Sequence, residues 1–324
     1  MKKVRWGIIG VGDVTEVKSG PAFNKVENSE VTMVMRRNLE KVKDYAERHS
    51  ITNYTNNADD IFNNSEIDAV YIATPPSSHA EYSIKAANAK KHVYVEKPMA
   101  TTYAECLQMI EAAEKNNVKL FVAYYRRELD YFKKIKSLID EKTIGEIKLV
   151  NTQLLLPPNE TDYDKNSLSW RVKKEIAGGG YFYDLASHQF DFFDYLFGPI
   201  KSAQGISTNQ LNFYDVEDIV SASFLFEANI IGSGTWCFTM PNNERIDRTE
   251  IIGSEGKIVF SFFSQNPIEL HKNGKVEKFE IGYPQHVQQN LIDSIVKEIL
   301  GNGKCVSTGI SGSRTNKILE EILT

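Results

Sequence analysis

Strand and helix patterns alternate along the first third of the chain, and this alternation limits the possible folds more than any other feature. Short apolar runs at Val4–Ile9, Val31–Met35 and Ala69–Ala73 are each followed by a segment with the pattern of a helix. Such alternation is typical of a parallel sheet with helices on both faces, because parallel strands need long crossover connections. We therefore predict an α/β fold that begins with a doubly wound parallel sheet.

A glycine-rich turn follows the first strand. The segment from Gly10 to Thr15 has the G-x-G-x-x spacing that lets a helix N-terminus approach a pyrophosphate, with Thr15 in place of a third glycine. The third position governs helix packing and not phosphate contact, so a threonine is tolerable there. We predict that Gly10, Gly12, Asp13 and Val14 bind a dinucleotide, although a glycine pair after a strand is often only a tight turn.

The end of the second strand carries two arginines and no acid. Arg36 and Arg37 stand where a residue that contacts the adenosine ribose is expected. An acid there accepts hydrogen bonds from the 2′-hydroxyl of NAD, whereas an arginine pairs with the 2′-phosphate of NADP. This pattern favours NADP over NAD, the alternative being that the arginines lie over the adenine or in solvent.

Polar loops follow two further strands and are predicted to face the same crevice. Thr74 and Pro75 end the strand at Ala69–Ala73, and His79 opens the next helix. Thr74 and Pro75 are predicted to contact the cofactor. His79 could contact it as well, or could be a polar residue of the first helical turn.

The strand His92–Val95 ends in Glu96, Lys97 and a proline. In an open α/β sheet, ligands bind at the carboxyl ends of the strands. Lys97 is therefore a candidate catalytic and cofactor-binding residue, and otherwise a surface charge on a loop. Glu96 is expected either to hold the lysine or to contact the nicotinamide ribose.

The pattern changes near residue 123, so we predict a dinucleotide-binding domain over 1–123 and a second domain over 124–324. Several short strand-like segments from Gly205–Phe213 to Pro267–Leu270 are separated by turns. They predict a C-terminal α+β domain with a large, mostly antiparallel open sheet. An open sheet with one face to cover is a plausible dimer surface.

A glycine triplet in the second domain precedes a predicted helix that ends near Phe197. Asp184, His188 and Asp191 are spaced i, i+4 and i+7, so they share one helical face. Buried polar groups need partners or a cavity, which makes this face a candidate site. The alternative is that Asp184 complements the helix dipole and His188 is a buried structural residue.

Composition excludes several classes of protein. A net charge of −5 gives no basic surface for nucleic acid. No apolar run reaches the roughly 18 residues of a membrane span, and the start lacks the apolar region of a signal peptide. Three widely spaced cysteines argue against a disulfide framework or a zinc site. We expect a cytoplasmic protein with no metal, no membrane contact and no nucleic-acid partner.

Two motifs resemble those of a known family. Glu96-Lys97-Pro98 and the Gly-Gly-x-x-x-Asp-x-x-x-His run from Gly179 to His188 are similar to marks of the Gfo/Idh/MocA oxidoreductases, named for glucose-fructose oxidoreductase, inositol dehydrogenase and a rhizopine-catabolism protein. The resemblance extends over nearly the whole chain and departs from the family at Thr15, where a small residue or glycine is usual.

The resemblance implies that Lys97, Asp184 and His188 form the catalytic group, and that the sheet of the second domain makes a homodimer or homotetramer. It points to the branch with glucose-fructose oxidoreductase and sugar or dihydrodiol dehydrogenases, which often use NADP. The remaining implied contacts are Trp170 and Arg171 for the cofactor, and Lys97, Tyr125, Arg126, Asp184 and His188 for the substrate.

These expectations combine into an NAD(P)-dependent oxidoreductase acting on a sugar, a polyol or a related secondary alcohol or ketone. Hydride transfer from an alcohol needs a group to take the hydroxyl proton and positive charge near the oxygen. Whether His188 or Lys97 carries the proton stays open, as do the substrate and the direction of reaction. The alternatives are an NAD-dependent glycoside hydrolase and a non-enzymatic nucleotide-binding regulator.

Overall fold

The structure is a computed structural model that describes residues 3–324, and it divides into two compact units. The first unit runs to Glu128 and includes Pro284–Ser313, whereas the second comprises Leu129–Tyr283 and Arg314–Thr324. The predicted division assigned all of 124–324 to the second domain. In the structure, however, the segment Pro284–Ser313 belongs to the first unit, because its apolar side chains are part of the core of that unit.

The first unit contains a six-stranded sheet in the order β3-β2-β1-β4-β5-β6, and every neighbouring pair is parallel. This order confirms the predicted doubly wound sheet. The strands are β1 (Val4–Ile9), β2 (Ser29–Met35), β3 (Asn53–Thr55), β4 (Ala69–Ile72), β5 (His92–Val95) and β6 (Leu120–Val122). The prediction missed β3, which has three residues and lies at the edge of the sheet.

Helices connect these strands, and side-chain caps define several of their starts. The helices are α1 (Asp13–Val17), α2 (Gly20–Lys25), α3 (Leu39–Arg48), α4 (Ala58–Asn63), α5 (His79–Asn88), α6 (Tyr103–Lys115) and α10 (Gln289–Ile299). Asn38 caps α3 by accepting from the Lys41 N–H at 2.9 Å, and Thr102 and Glu105 form a capping box at the start of α6. Pro21 lies in the first turn of α2, where the fixed φ of proline suits a helix start.

Two hydrophobic clusters fill the two faces of this sheet. One surrounds Trp6 and Tyr94 and includes Leu291 and Ile295 of α10, and the other surrounds Ile72. Burying large aliphatic and aromatic side chains contributes roughly 1.5–3 kcal/mol each. This packing fixes the ends of the strands and therefore the positions of the loops that follow them.

The second unit contains an eight-stranded sheet in the order β14-β13-β12-β11-β7-β10-β9-β8, in which only β7 and β10 pair in parallel. This confirms the predicted mostly antiparallel sheet. The strands are β7 (Ile147–Leu155), β8 (Ile200–Thr208), β9 (Ile219–Phe226), β10 (Ile231–Cys237), β11 (Ile246–Gly253), β12 (Gly256–Phe260), β13 (Ile268–Lys272) and β14 (Lys275–Phe279). The predicted strand Gly205–Phe213 is wrong in its bounds, because Asp218 accepts hydrogen bonds from the N–H groups of Gln210 and Leu211 and closes a loop there.

The helices of the second unit are α7 (Asp130–Asp140), α8 (Lys174–Ala177), α9 (Gly180–Phe197) and, from Arg314 onward, α11 (Gly309–Leu323). The long helix α9 is anchored to the sheet by hydrogen bonds. The buried side chain of Gln189 on α9 donates to Thr152 at 2.9 Å and accepts from Trp236 at 2.5 Å. These bonds fix the rotation of α9 on the sheet, and with it the direction of every other side chain on the helix.

Candidate active site

The first strand ends in a turn that requires glycine at Gly10. This residue has a φ of +93°, and a Cβ there would lie 2.7 Å from Cγ2 and 2.9 Å from the backbone nitrogen of Thr74. Any other residue would therefore be strained and would clash with the loop after β4. The structure thus brings two of the predicted cofactor segments, at Gly10 and Thr74, into contact.

Gly12 opens α1 and has free space in front of it. Its backbone is extended, and the nearest atoms to an added Cβ are Arg36 Nη1 at 3.8 Å and Gly10 O at 3.9 Å. The protein's own packing therefore does not demand a glycine here, whereas close approach of a pyrophosphate would. Asp13 and Val14 begin α1, where the backbone N–H groups of the first turn have no partner within the helix.

Thr15 closes the turn in place of the third glycine. Its hydroxyl accepts from the Gly12 N–H at 2.9 Å and donates to the Gly12 carbonyl at 2.8 Å. The side chain is fully buried. The departure from the glycine pattern is therefore accommodated by the turn itself and leaves the open side of Gly12 unobstructed.

The two arginines after β2 have different surroundings. The half-buried Arg36 has its guanidinium beside Gly12, while Arg37 is exposed. Only Arg36 is thus placed next to the dinucleotide turn. These residues fit a dinucleotide: a turn open to a pyrophosphate lies beside a cation at the end of the second strand.

His79 is buried inside the first unit. Its Nδ1 lies 3.0 Å from the Pro98 carbonyl and its Nε2 lies 2.7 Å from the Thr74 carbonyl, so the ring joins the loops after β4 and β5. Burial lowers the pKa of His79. This geometry favours a structural residue over a cofactor ligand, a difference that the sequence did not show because a histidine in a first helical turn is usually exposed. Thr74 and Pro75 remain half-buried on the loop that the ring supports.

Glu96 and Lys97 directly follow β5, as predicted. Lys97 is half-buried, whereas Glu96 is 8% exposed and its carboxylate accepts hydrogen bonds from Tyr71, Gln288 and the Lys97 main chain. These contacts bind Glu96 to the main chain of Lys97, and its contact with the lysine charge or with the nicotinamide ribose stays a prediction.

Tyr125 and Arg126 follow β6 in the first unit. Arg126 is 5% exposed, donates to the Tyr125 hydroxyl at 3.2 Å and places its guanidinium carbon 5.2 Å from the centre of the Tyr125 ring. A buried cation stacked on an aromatic ring is held in a defined direction. The contact of Tyr125 and Arg126 with the substrate stays a prediction.

Helix α9 presents the polar face that the sequence predicts. Its first residue, Gly180, has a φ of +64°, and a Cβ there would lie 2.5 Å from Val216 Cγ2. Asp184 is partly exposed, and His188 and Asp191 are 3% and 1% exposed. The glycine therefore permits a tight start to the helix, after which the acid and the imidazole lie one turn apart.

Asp184 pairs with a predicted cofactor residue. The Arg171 Nε donates to Asp184 Oδ2 at 3.1 Å, and the Arg171 guanidinium carbon lies 4.6 Å from the centre of the Trp170 ring. The structure thus brings Trp170, Arg171 and Asp184 together within the second unit. The His188 ring lies edge-on to Phe263 with 6.1 Å between ring centres.

A cavity of about 610 Å³ lies next to Asp184 in the second unit. Its lining combines apolar and charged groups, including Pro157, Arg171, Tyr181, Asp184 and Arg245. This volume is within the range of small-ligand sites, which are mostly apolar with a few directed polar groups.

Tyr181 and Asp162, which were not predicted from the sequence as site residues, stabilise the wall of this cavity. The Tyr181 hydroxyl donates to Asp162 Oδ1 at 2.7 Å, and the Asn159 N–H donates to Asp162 Oδ2 at 2.8 Å. Asp162 is 1% exposed, so its charge is satisfied inside the protein. No local sequence pattern predicts the hydrogen bond between Tyr181 and Asp162, because a loop whose path depends on the fold separates the two residues.

Within residues 3–324, no group of three or more histidine, cysteine, aspartate or glutamate side chains is arranged to hold a metal ion. The same range contains no helix long and apolar enough to cross a membrane. The three cysteines are buried, and none is part of a disulfide.

A 3-2-1-4-5-6 parallel sheet with a glycine turn open at its first strand defines a dinucleotide-binding protein. Residues 4–124 match the oxidoreductase family with an NAD-binding Rossmann fold, and residues 132–259 match the GFO/IDH/MocA C-terminal domain. The chain belongs to the Gfo/Idh/MocA oxidoreductases and is an enzyme of that family, which confirms the predicted resemblance.

Individual relatives agree with this assignment. The chain is 43% identical over 302 residues to oxidoreductase P35 of Formosa agariphila, covering 93% of this chain and 92% of the relative. It is 29% identical over 263 residues to the NADP-dependent D-xylose 1-dehydrogenase of Haloarcula marismortui, covering 79% and 71% of the two chains. A levoglucosan dehydrogenase solved with NADH and levoglucosan superposes with a TM-score of 0.85 at 24% identity, covering 99% and 96%, which shows a shared fold.

Proposed function

We propose that this enzyme transfers a hydride between NADP and a sugar, a polyol or a related secondary alcohol or ketone. The observation that carries the proposal is the polar face of α9, where Asp184 borders a ligand-sized cavity one helical turn from the buried His188. Relatives named for D-xylose and levoglucosan support this class of substrate.

The nicotinamide ring supplies the hydride acceptor or donor, and side chains of this chain manage the proton and the charge. His188 takes the hydroxyl proton as the carbonyl forms, since an imidazole ordinarily titrates near pH 6.5. Lys97 places positive charge near the developing oxyanion. Asp184, held by Arg171, orients the substrate hydroxyl groups.

The alternative assignment gives the proton to Lys97. A pH profile of kcat/KM separates the two, because His188→Asn removes the limb in the range of a histidine only if the imidazole carries the proton. A profile whose limbs are unchanged in that variant assigns the proton to Lys97.

The preference for NADP is proposed to rest on Arg36. A charge-assisted hydrogen bond to a 2′-phosphate is worth about 1.5–3 kcal/mol, or roughly 10- to 150-fold in affinity. Arg36→Ala should lower kcat/KM for NADP by about that factor and change the value for NAD less than about threefold. Arg37→Ala is the matched control, and an equal loss there would contradict the assignment to Arg36.

A screen of sugars and polyols with NADP and NAD in parallel, followed by the absorbance of the reduced nicotinamide, tests the function. Turnover with a sugar or polyol is the expected result. Release of an aryl group from aryl glycosides without net cofactor change would instead favour the glycoside hydrolase, and cofactor binding with neither reaction would favour the regulator.

A homodimer through the open sheet of the second unit is also proposed. One face of this sheet bears a polar groove lined by serine, threonine and asparagine side chains such as Ser223 and Asn151, and Ile206 on β8 is 82% exposed. The mass in solution should be that of a dimer or tetramer, and Ser223→Arg should lower it. A monomer of the unaltered protein at micromolar concentration would refute this proposal.

The cytoplasmic location of the protein stays a prediction.

A further inference from the structure

The Glu96 carboxylate is the centre of a buried hydrogen-bond network in the first unit. Its Oε1 accepts from the Tyr71 hydroxyl at 2.6 Å and from Gln288 Nε2 at 2.6 Å. Its Oε2 accepts from the main-chain N–H of Lys97 at 3.2 Å. Both oxygens are thus occupied by protein donors, as a charge in this position requires.

The network extends from Lys97 to the dinucleotide turn. The Ser19 hydroxyl lies 3.1 Å from the Tyr71 hydroxyl and 3.2 Å from the Val14 carbonyl, so its proton can be donated to either oxygen. A continuous chain of buried polar groups therefore joins α1, which follows Gly12, to the lysine at the end of β5. Such chains hold their members in one arrangement when every group is satisfied.

Gln288 is the member of this network that comes from far along the sequence. It is fully buried at the start of α10, its N–H donates to the Lys18 carbonyl at 3.2 Å, and its Oε1 accepts from the Tyr94 hydroxyl at 2.6 Å. The side chain must donate to Glu96 and accept from Tyr94 at once. An uncharged amide does both, whereas a carboxylate cannot donate and an alkyl group can do neither.

We propose that Gln288 is a positioning residue for Lys97. Its amide, together with Tyr71, orients the Glu96 carboxylate, and that carboxylate holds the Lys97 main chain and keeps a negative charge beside the lysine. This rests on the proposed function to the extent that Lys97 acts in hydride transfer.

The groups that face Glu96 stay in one protonation state in the working pH range. Burial and the charge of Glu96 raise the pKa values of Tyr71 and Tyr94, so both hydroxyls remain donors. Burial lowers the pKa of His79 and so disfavours its charged form. A pH-dependent effect of a substitution at Gln288 would therefore report the new group and its partner carboxylate.

The test compares Gln288→Glu with Gln289→Glu, which adds the same charge at the next residue of α10, where the side chain is half-buried. In Gln288→Glu two carboxylates meet without a donor between them, and a shared proton relieves this only at lower pH. We expect kcat at pH 8 to fall at least about tenfold, with KM for the sugar and Kd for reduced nucleotide within about threefold. The deficit should shrink at pH 6.

Two further variants separate positioning from loss of folding. Gln288→Leu cannot titrate, so its loss of kcat should be the same at pH 6 and pH 8. Tyr94→Phe removes only the donor to Gln288 and should lower kcat by a smaller factor with unchanged KM. Gln289→Glu should match the unaltered protein in kcat and KM at both pH values.

A second readout needs no substrate. The rate at which acetic anhydride modifies Lys97 is measured by mass spectrometry relative to the exposed Lys165. The added charge in Gln288→Glu favours the unreactive ammonium form, so modification at pH 8 should slow at least about twofold, and Gln289→Glu should not change it.

The two readouts distinguish the failure of each proposal. If no sugar or polyol is turned over but Gln288→Glu still slows the modification of Lys97, the proposed function fails and the positioning role stands. If Gln288→Glu matches Gln289→Glu in the modification rate, and in kcat wherever turnover is seen, the positioning role is overturned.

Discussion

Replacing Gly12 with alanine should leave the stability of the fold nearly unchanged and weaken cofactor binding. The backbone of Gly12 is extended, with a φ of −179°, which any residue adopts. An added methyl group would meet nothing closer than Arg36 Nη1 at 3.8 Å, an ordinary contact. The packing around the turn therefore tolerates alanine at this position.

The magnitudes follow from these distances. Alanine reduces the freedom of the unfolded chain, which stabilises the fold by about 0.4–1 kcal/mol, but it is a poorer N-cap for α1 than glycine, so the free energy of unfolding should stay within about 1 kcal/mol of the unaltered value. The methyl group fills the space that a pyrophosphate needs, and overpacking of this kind costs about 1–3 kcal/mol. The Kd for reduced nucleotide should therefore rise by roughly 5- to 150-fold.

Urea denaturation gives the free energy of unfolding, and titration of the fluorescence of NADPH gives the Kd. Gly282→Ala is the control, because a Cβ added at Gly282 would have no neighbour within 4 Å, and this variant should keep the nucleotide affinity of the unaltered protein. Unchanged nucleotide affinity in Gly12→Ala would refute the placement of the pyrophosphate at this turn.

Three other substitutions test separate parts of the account. Gly10→Ala should lower the free energy of unfolding by about 2–5 kcal/mol in urea denaturation, since it adds left-handed strain and a clash with Thr74. Hydrogen bonds from Arg48 lower the pKa of Glu16 to about 2, so this pair stabilises the fold above pH 4.5 and ceases to do so as the pH falls toward 2. The stability difference between the unaltered protein and Glu16→Gln in urea should therefore shrink between pH 6 and pH 3. Tyr181→Phe should raise KM for the sugar by roughly 3- to 30-fold with kcat unchanged, because the cavity wall loses one hydrogen bond to its buried carboxylate.

Regular, local features of the first unit could be predicted from the sequence. The strand alternation, the caps at Asn38 and Thr102 and the restart at Pro21 depend on residues close together in the chain, so their patterns are visible without the fold. The polar face of α9 is of the same kind, because helical spacing alone places Asp184 and His188 together.

Features that depend on distant residues could not be predicted. Gln288 and Glu96, whose side chains are hydrogen-bonded, are 192 positions apart in the sequence. The change of pattern near residue 123 predicted that the chain leaves the first unit once and does not return, whereas Pro284–Ser313 belongs to the first unit. His79 was ambiguous because its sequence context is that of a surface residue, and only the loops on either side bury it. The bounds of β8 were missed because Asp218, which closes the next loop, follows ten residues after that strand ends at Thr208.

A single-turnover measurement of hydride transfer in Lys97→Ala, with the sugar or polyol that the unaltered enzyme turns over best, tests the proposed role of Lys97 most directly. If Lys97 stabilises the developing oxyanion, the rate should fall at least about 100-fold, as for loss of one oxyanion-stabilising group. The Kd for reduced nucleotide should stay within about threefold of the unaltered value. Hydride transfer at a rate near that of the unaltered enzyme would contradict the account.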